Sequence, residues 1–173
     1  GCWELPLGLP IRQLIEEYGG GMRDGLELRA FLPGGGSTDF MLPEHLDLKL
    51  DYDEIAKAGS RLATGTMILL DNETCPVGMV GNLMKFFSHE SCGFCTPCRD
   101  GLPWVDEIFN EFESGCGTEK DLQILHEHVD YLGPGRTFCA LAPGATAPLG
   151  SGLKYFADDF DRHIKEKCCP YRH

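Results

Sequence analysis

Three cysteines stand three residues apart in the segment Ser-Cys-Gly-Phe-Cys-Thr-Pro-Cys-Arg, and a fourth follows further along the chain. They are Cys92, Cys95, Cys98 and Cys139. Thiolates at this spacing can each bind one corner of a compact inorganic cluster, because the loop between them curls around it. A distant fourth thiolate completes the ligand set. This is the ligand pattern of a 4Fe–4S centre, so the spacing predicts a site for electron transfer.

Two other kinds of site share part of this pattern. A single C-x-x-C pair also occurs in zinc sites and in thiol redox sites. Structural zinc sites usually combine two separated Cys or His pairs, whereas a run of three cysteines suits a cubane cluster better. The 4Fe–4S cluster is therefore the leading interpretation, and zinc and redox-active thiols are its alternatives.

The elements that must position these cysteines are predicted to be helices. Between residues 78 and 173, apolar residues at helical spacing predict four of them, at 78–88, 98–113, 118–132 and 148–164. Pro148 is placed in the first turn of the fourth helix, where proline is tolerated. Four apolar stripes can bury one another as a bundle. The loops that carry Cys92 and Cys139 would then meet at one end of it.

The remaining part of the chain, residues 1–77, is predicted to mix helix and strand. One short helix is expected at 11–18, and alternating apolar residues predict strands at 2–5, 26–32, 46–50 and 65–70. Strands around one short helix fit a β-grasp. The predicted fold class is therefore α+β, with a small β-grasp (ubiquitin-like) domain followed by a four-helix bundle whose end loops hold the cluster.

The charge balance and the apolar pattern narrow the class of partner. Acidic residues outnumber basic ones by 27 to 15, a formal net charge of −12, which argues against nucleic acid and anionic membranes. No apolar run approaches the roughly 18 residues that span a bilayer, so no direct membrane insertion is expected. Cysteine makes up only about 5% of the chain, below the level of a disulfide scaffold. A reducing cytosol fits, because cluster ligands must be unoxidised thiolates.

Five segments resemble one known family. Residues 90–101, Glu-Ser-Cys-Gly-Phe-Cys-Thr-Pro-Cys-Arg-Asp-Gly, resemble the cluster-binding signature of the flavoprotein F subunit of bacterial NADH:quinone oxidoreductase, respiratory complex I. The other four are 132–145, which resembles the segment with that family's fourth ligand; 153–160, similar to its last helix; and 3–8 and 33–37, similar to its small β-domain. The resemblance implies an SLBB-like β-grasp domain at 1–77 and a 4Fe–4S-binding domain at 78–173.

The resemblance also implies a function in a respiratory chain. The cluster would accept single electrons from NADH-reduced FMN and pass them along the iron–sulfur chain toward quinone. Nothing here resembles the family's large FMN- and NADH-binding domain, so we expect a carboxy-terminal portion of the family protein, or a gene product reduced to it, that does not oxidise NADH alone. The expected partners are the other peripheral-arm iron–sulfur subunits. The expected location is cytoplasmic, peripheral to the inner membrane through the complex.

Four residues near the cysteines are candidates for supporting the cluster. Gly93 permits a backbone conformation that points N–H groups at sulfur, and the Thr96 hydroxyl could donate a hydrogen bond to a sulfur. Arg99 and Arg136 could offset the negative charge of about −2 on an oxidised cluster with four thiolates. Each arginine is equally consistent with an ordinary surface residue.

Two other functions and one other site stay open. The diaphorase component of an NAD-linked hydrogenase or formate dehydrogenase shares the cysteine signature, and a zinc-stapled interaction module without redox activity would need no iron. The other five cysteines have no ligand-like neighbours in the sequence: Cys2, Cys75, Cys116, Cys168 and Cys169. A second metal site would draw on Cys168, Cys169, His163 or His173.

Overall fold

The chain folds as two compact units that divide after Glu73. The computed structural model describes residues 1–172. The first unit is Gly1–Glu73, and the second begins at Thr74. Helices and one small two-stranded sheet make up the regular structure of the described residues, so the fold mixes α and β. None of these helices is both long and apolar enough to cross a bilayer.

The first unit is built around one antiparallel strand pair. Its elements are α1 (Ile11–Gln13), which continues in wider turns over Leu14–Tyr18, then β1 (Leu28–Leu32), a short 3₁₀ turn (Pro43–His45), α2 (Tyr52–Lys57) and β2 (Ile68–Asp71). Ala30 pairs with Leu70 in the β1–β2 ladder, which has an irregularity next to Leu28. The buried core of this unit includes Ile11, Phe31, Met41 and Ile55.

The structure confirms some of the helices and strands predicted for this unit and not others. The helix at 11–18 is confirmed. The strand at 26–32 is confirmed in shortened form as β1, and the strand at 65–70 is confirmed as β2, which begins three residues later and ends one residue later. The strands at 2–5 and 46–50 are wrong. Residues 46–50 instead bond to the segment around α1, through Gly8 N–H to Leu50 O (2.9 Å) and Ile11 N–H to Leu48 O (3.0 Å). Helix α2 is not among the predictions, although Asp51 caps it by accepting from Glu54 N–H at 2.7 Å.

The second unit is helical. Its helices are α3 (Pro76–Glu90), α4 (Leu102–Ser114), α5 (Glu119–Tyr131), α6 (Leu141–Tyr155) and α7 (Ala157–Glu166), and a wide π-type turn (Pro97–Gly101) leads into α4. Helix α3 packs against α4 and α6, and α5 packs against α6. The phenyl ring of Phe160 on α7 contacts those of Phe109 and Phe112 on α4 edge-on, with ring centroids 5.9 and 5.4 Å apart. These contacts hold α7 on α4.

The predicted fourth helix is two helices. Phe156, with φ −118° and ψ 27°, leaves the helical conformation and separates α6 from α7. The prediction that Pro148 starts a helix is also wrong, because α6 begins at Leu141 and Pro148 lies inside it. A proline there lacks the N–H that would bond to Gly144. Most of α6 is buried, including Ala145 and Leu149, and this packing outweighs the lost hydrogen bond.

Candidate metal centres

The four cysteines of the predicted cluster site lie in two loops of the second unit. Cys92 and Cys95 follow α3, Cys98 lies in the turn Pro97–Gly101, and Cys139 lies between α5 and α6. Cys98 is buried, with 4% of its surface exposed, whereas Cys92 and Cys139 are exposed. The site therefore has one side against the helices and one side open to solvent.

The structure brings the two loops together. Phe94 lies between Cys92 and Cys95, and Phe138 directly precedes Cys139; their rings contact edge-on, with centroids 5.6 Å apart. The turn Pro97–Gly101 packs on both α5 and α6. A Cβ added at its last residue would lie 3.1 Å from the Leu132 side chain, so the turn approaches the end of α5 closely. The chain leaving α5 is thereby directed back toward the cysteine loop.

The electrostatics of Cys98 relate its thiol to the other three cysteines. Burial raises the pKa of the Cys98 thiol, and a hydrogen bond with Ser91 lowers it. Negative charge on Cys95, Cys139 and Cys92 raises the same pKa further. Each of these three cysteines therefore lies within electrostatic reach of Cys98. Four cysteine thiols are the donor set of a 4Fe–4S cluster, and the residues present fit that group.

Ser91 is a contact that sequence reasoning missed. Its Oγ lies 3.0 Å from Cys98 Sγ and accepts a hydrogen bond from the Gly93 N–H at 3.2 Å. Gly93 has φ +71°, the left-handed conformation that glycine adopts without strain. The backbone therefore bends around the Ser91 hydroxyl. The sequence feature that could have indicated this contact is a serine directly before Cys92, the first predicted ligand.

The other candidate supporting residues make different contacts. Thr96 Oγ1 accepts a hydrogen bond from Arg99 Nη2 at 3.4 Å, and Arg99 Nε pairs with Asp100 at 3.3 Å. The aliphatic part of Arg99 lies against Gly93, 3.8 Å from where a Cβ would sit. Within residues 1–172, the Arg136 guanidinium forms no described ion pair or hydrogen bond, and its backbone N–H bonds to the Gly133 carbonyl. Arg99 is thus the cation held beside the cysteine loop.

A second cluster of ligand atoms lies elsewhere in the same unit. Cys75, Glu113, His163 and Cys169 each present one ligand atom, and all four atoms lie within 4.8 Å of one another. Cys75 and Cys169, which have no ligand-like neighbours in the sequence, therefore have them in the folded unit. These residues are far apart in sequence, so no spacing pattern indicates them.

The other residues considered for a second metal site do not join this cluster. Of that set, only His163 and Cys169 belong to it. Cys168 is exposed, as are Cys2 and Cys116. His173 lies outside the residues that the structure describes. The second cluster therefore combines two anticipated residues with Cys75 and Glu113, which the sequence did not indicate.

The pocket around Cys75 disfavours a bare thiolate. The pKa of the Cys75 thiol is raised to about 12, chiefly by burial. The neighbouring Cys169 and Glu113 contribute to the rise, and a hydrogen bond from the Gly78 N–H opposes it. Unless a cation is bound beside it, Cys75 is therefore a protonated thiol at neutral pH.

A helical unit that carries four cysteines in two neighbouring loops, one of them buried beside a hydroxyl, has the donors of an iron–sulfur-binding class of domain. Residues 78–163 match the family described as the NADH-ubiquinone oxidoreductase-F iron-sulfur binding region. The chain belongs to the family of F subunits of NADH-quinone oxidoreductase and corresponds to their carboxy-terminal part.

Relatives agree with this assignment. The F subunit of the NADH-quinone oxidoreductase of Escherichia coli (strain K12) is 51% identical over 166 residues, which is 96% of this chain and 37% of that protein. The corresponding protein of Streptomyces coelicolor is 43% identical over 171 residues, 99% of this chain and 38% of that protein. The chain therefore spans just over a third of the length of these relatives.

A chain in the crystal structure of a NAD⁺-reducing [NiFe]-hydrogenase in the H₂-reduced state is similar in fold. Its TM-score is 0.75 at 24% identity, over 96% of this chain and 27% of that chain. The same enzyme type in the air-oxidised state gives a TM-score of 0.76 at 23% identity. At this identity the likeness establishes the fold alone.

Proposed function

We propose that the second unit holds one 4Fe–4S cluster through Cys92, Cys95, Cys98 and Cys139 and acts as a one-electron relay in NADH:quinone oxidoreductase. The observation that carries this proposal is the contact between the two cysteine loops through the rings of Phe94 and Phe138, the second of which directly precedes Cys139. The match of residues 78–163 to an iron–sulfur binding region supports it.

The residues around the site have separate tasks. When bound, the cluster supplies a centre that takes up and releases a single electron. The buried Cys98 anchors the site to the helices, and the Ser91 hydroxyl donates a hydrogen bond to its sulfur when that sulfur is a thiolate. Gly93 allows the loop to turn, and Arg99, ion-paired with Asp100, packs against that turn. The Ser91 hydrogen bond favours the negatively charged site.

The exposed side of the site suits the exchange of electrons with a partner. Cys92 and Cys139 are exposed, and the rings of Phe94 and Phe138 beside them are 75% and 85% exposed. A partner could cover these rings and bring its own redox group close to the cysteines, because electron transfer needs short distances. We propose that this side faces the FMN-bearing domain or a neighbouring iron–sulfur subunit.

The remaining features of the family are proposed on the strength of the relatives. Residues 1–77 would form the SLBB-like β-grasp domain and residues 78–173 a four-helix-type 4Fe–4S domain, to which α7 adds a fifth helix. FMN and NADH would be bound by a domain that precedes this region in the family. The assembled enzyme would pass electrons through its peripheral-arm subunits to quinone at the cytoplasmic face of the membrane.

The relatives favour this function over the diaphorase alternative. The F subunits of two NADH-quinone oxidoreductases are 51% and 43% identical to the chain, whereas the chains from the NAD⁺-reducing hydrogenase structures show likeness of fold alone. The other alternative is an interaction module in which the cysteine loops bind zinc and have no redox activity. Metal analysis distinguishes it from the relay, because the relay requires iron at these loops.

Iron analysis of anaerobically purified protein tests the proposal. The expected product is brown, with about four irons per chain bound at the cysteine loops. Cys95→Ser and Cys139→Ser should each lose the cluster or convert it to a three-iron form, seen by electron paramagnetic resonance. Cys116→Ser is the matched control, since Cys116 is an exposed cysteine of the same unit.

Two results would overturn the proposal. One is a colourless protein that binds no iron under reconstitution conditions. The other is a Cys139→Ser protein that keeps its full iron content while Cys116→Ser loses it, because Cys139 would then not be a ligand.

A further inference from the structure

We propose that Cys75, Glu113, His163 and Cys169 bind one zinc ion, at a structural site separate from the iron–sulfur cysteines. The four residues come from four segments of the second unit: the start of α3, the end of α4, the middle of α7 and the chain after α7. We call this set the Cys₂HisGlu site. Its binding of zinc does not depend on the proposed redox function.

The distances among three ligand atoms of the Cys₂HisGlu site match the edges of a zinc tetrahedron, and Cys169 Sγ lies within 4.8 Å of all three. Cys75 Sγ lies 3.5 Å from His163 Nε2 and 3.6 Å from Glu113 Oε1, and His163 Nε2 lies 3.7 Å from Glu113 Oε1. Ordinary Zn–S, Zn–N and Zn–O bond lengths give tetrahedral edges of about 3.5 Å between sulfur and nitrogen or oxygen, and about 3.4 Å between nitrogen and oxygen. These three ligand atoms need to move by only a few tenths of an ångström.

His163 is held in the form that a metal requires. Its side chain is fully buried, with 0% exposed. Its Nδ1 lies 2.7 Å from the Asp159 carbonyl oxygen, to which it can bond only as a donor. In the neutral ring the lone pair is then on Nε2, the atom that faces Cys75 and Glu113. A histidine that donates its other N–H to a carbonyl is the usual arrangement at zinc sites.

Cys75 and Glu113 are also oriented by contacts outside the site. Cys75 caps α3, and its sulfur accepts a hydrogen bond from the Gly78 N–H at 3.2 Å, which stabilises a metal-bound thiolate at a helix N-terminus. Glu113 Oε2 accepts from Arg172 Nη2 at 2.8 Å, which leaves Oε1 for the metal. Two thiolates and one carboxylate outweigh the charge of Zn²⁺ by about one unit. Arg172 offsets that remaining charge.

Close packing between the ends of α4 and α7 positions Cys169, the fourth ligand of the Cys₂HisGlu site. Gly115 ends α4 with φ +79°, and a Cβ there would lie 2.5 Å from the carbonyl carbon of Lys167. The chain then runs from Lys167 to Cys169, which is buried, and the Tyr171 hydroxyl donates to Asp159 Oδ1 at 2.6 Å. A metal in the Cys₂HisGlu site would therefore tie the residues after α7 to α3 and α4.

Zinc is the metal that this donor set favours. Two sulfurs, one imidazole and one carboxylate oxygen combine soft and borderline ligands, which zinc accepts in a closed tetrahedral structural site. An iron–sulfur cluster would need four thiolates, and magnesium or calcium would need more oxygens. The burial of His163 and Cys169 fits a structural site rather than a catalytic one.

Metal analysis of the full chain, loaded with iron anaerobically and then dialysed against zinc, tests this inference. One tightly held zinc per chain is expected in addition to the iron. Cys169→Ser should lower the affinity for zinc by about 100-fold or more while the iron content stays unchanged. The neighbouring exposed Cys168→Ser is the matched control and should keep both metals.

X-ray absorption at the zinc edge identifies the zinc ligands in the unmodified chain, so this test does not require the Cys169→Ser variant to fold. Two sulfur and two nitrogen or oxygen neighbours support the Cys₂HisGlu site. Four sulfur neighbours would place zinc at the iron–sulfur cysteines and overturn the inference. The absence of stoichiometric zinc, or equal zinc in the Cys168→Ser and Cys169→Ser proteins, would also overturn it. Because iron is measured in the same samples, loss of zinc with iron retained leaves the proposed relay intact.

Discussion

Replacement of Gly115 by alanine tests the packing that closes the second unit. Gly115 adopts φ +79°, where an L-residue is strained, and the added Cβ would lie 2.5 Å from the carbonyl carbon of Lys167 and closer still to its oxygen. Both obstacles are backbone atoms, so no side chain can rotate out of the way. The ends of α4 and α7 would have to separate.

The expected cost is the sum of two effects. The left-handed conformation costs an alanine roughly 1–2 kcal/mol, and forcing extra volume into a packed contact costs about 1–3 kcal/mol. The free energy of unfolding should therefore fall by about 2–5 kcal/mol, a large part of the roughly 5–15 kcal/mol that is typical of a domain. With a urea m-value of about 2 kcal/mol per M, the midpoint should fall by about 1–2.5 M.

Gly135→Ala is the matched control, because Gly135 has a similar φ of +82° with nothing within 4 Å of an added Cβ. It carries the conformational cost alone, about 1–2 kcal/mol. Urea unfolding followed by far-ultraviolet circular dichroism reports on the second unit, which contains the longest helices. Equal midpoints for the two variants would refute the close approach of α4 to the turn after α7.

Two further predictions concern the two candidate centres. Ser91→Ala removes a hydrogen bond to the Cys98 sulfur worth about 1 kcal/mol, and should lower the reduction potential of the iron-loaded protein by about 40 mV in a spectroelectrochemical titration; Ser37→Ala in the first unit is the control, and an unchanged potential in Ser91→Ala would contradict the assigned contact. In chelator-treated protein at pH 8, a pKa of about 12 leaves about one Cys75 thiol in ten thousand ionised, against about one in ten for an ordinary thiol. Alkylation of Cys75 should therefore be about 1,000-fold slower than that of an ordinary thiol in a reference peptide and rise about tenfold per pH unit, as measured by peptide mass mapping; similar rates for the two would show that the pocket does not protect Cys75.

Local signals in the chain predicted the elements well where packing agreed with them. The apolar stripe of α4 and the Thr118 cap of α5 both indicated helices that the structure contains, because periodicity and capping act within a few residues. The prediction failed at Pro148, where a proline that normally ends or starts a helix lies inside a buried one. The prediction failed again at 46–50, where the apolar residues alternate but the backbone forms its hydrogen bonds with the segment around α1 instead of with a strand.

The residues of the candidate sites also differ in whether the sequence alone could predict them. The spacing of Cys92, Cys95 and Cys98 is a local property that pointed to a cluster directly, since one loop supplies three ligands. The partner of that loop, Cys139, could be anticipated only through the predicted helices and the family resemblance. Ser91 needed the structure, because a hydroxyl beside a cysteine can point in several directions.

The amino-acid sequence by itself determined which donors are available and how three of them curve within one loop, because bond geometry relates neighbours in the chain. The tertiary structure alone decided that Cys75 and Cys169 meet His163 and Glu113 in one pocket, although the two cysteines lie near opposite ends of the amino-acid sequence of the second unit. That meeting depends on how α3, α4 and α7 pack, and on the close backbone contact at Gly115. Contacts between distant segments follow from the burial of whole helices, which no short spacing pattern encodes.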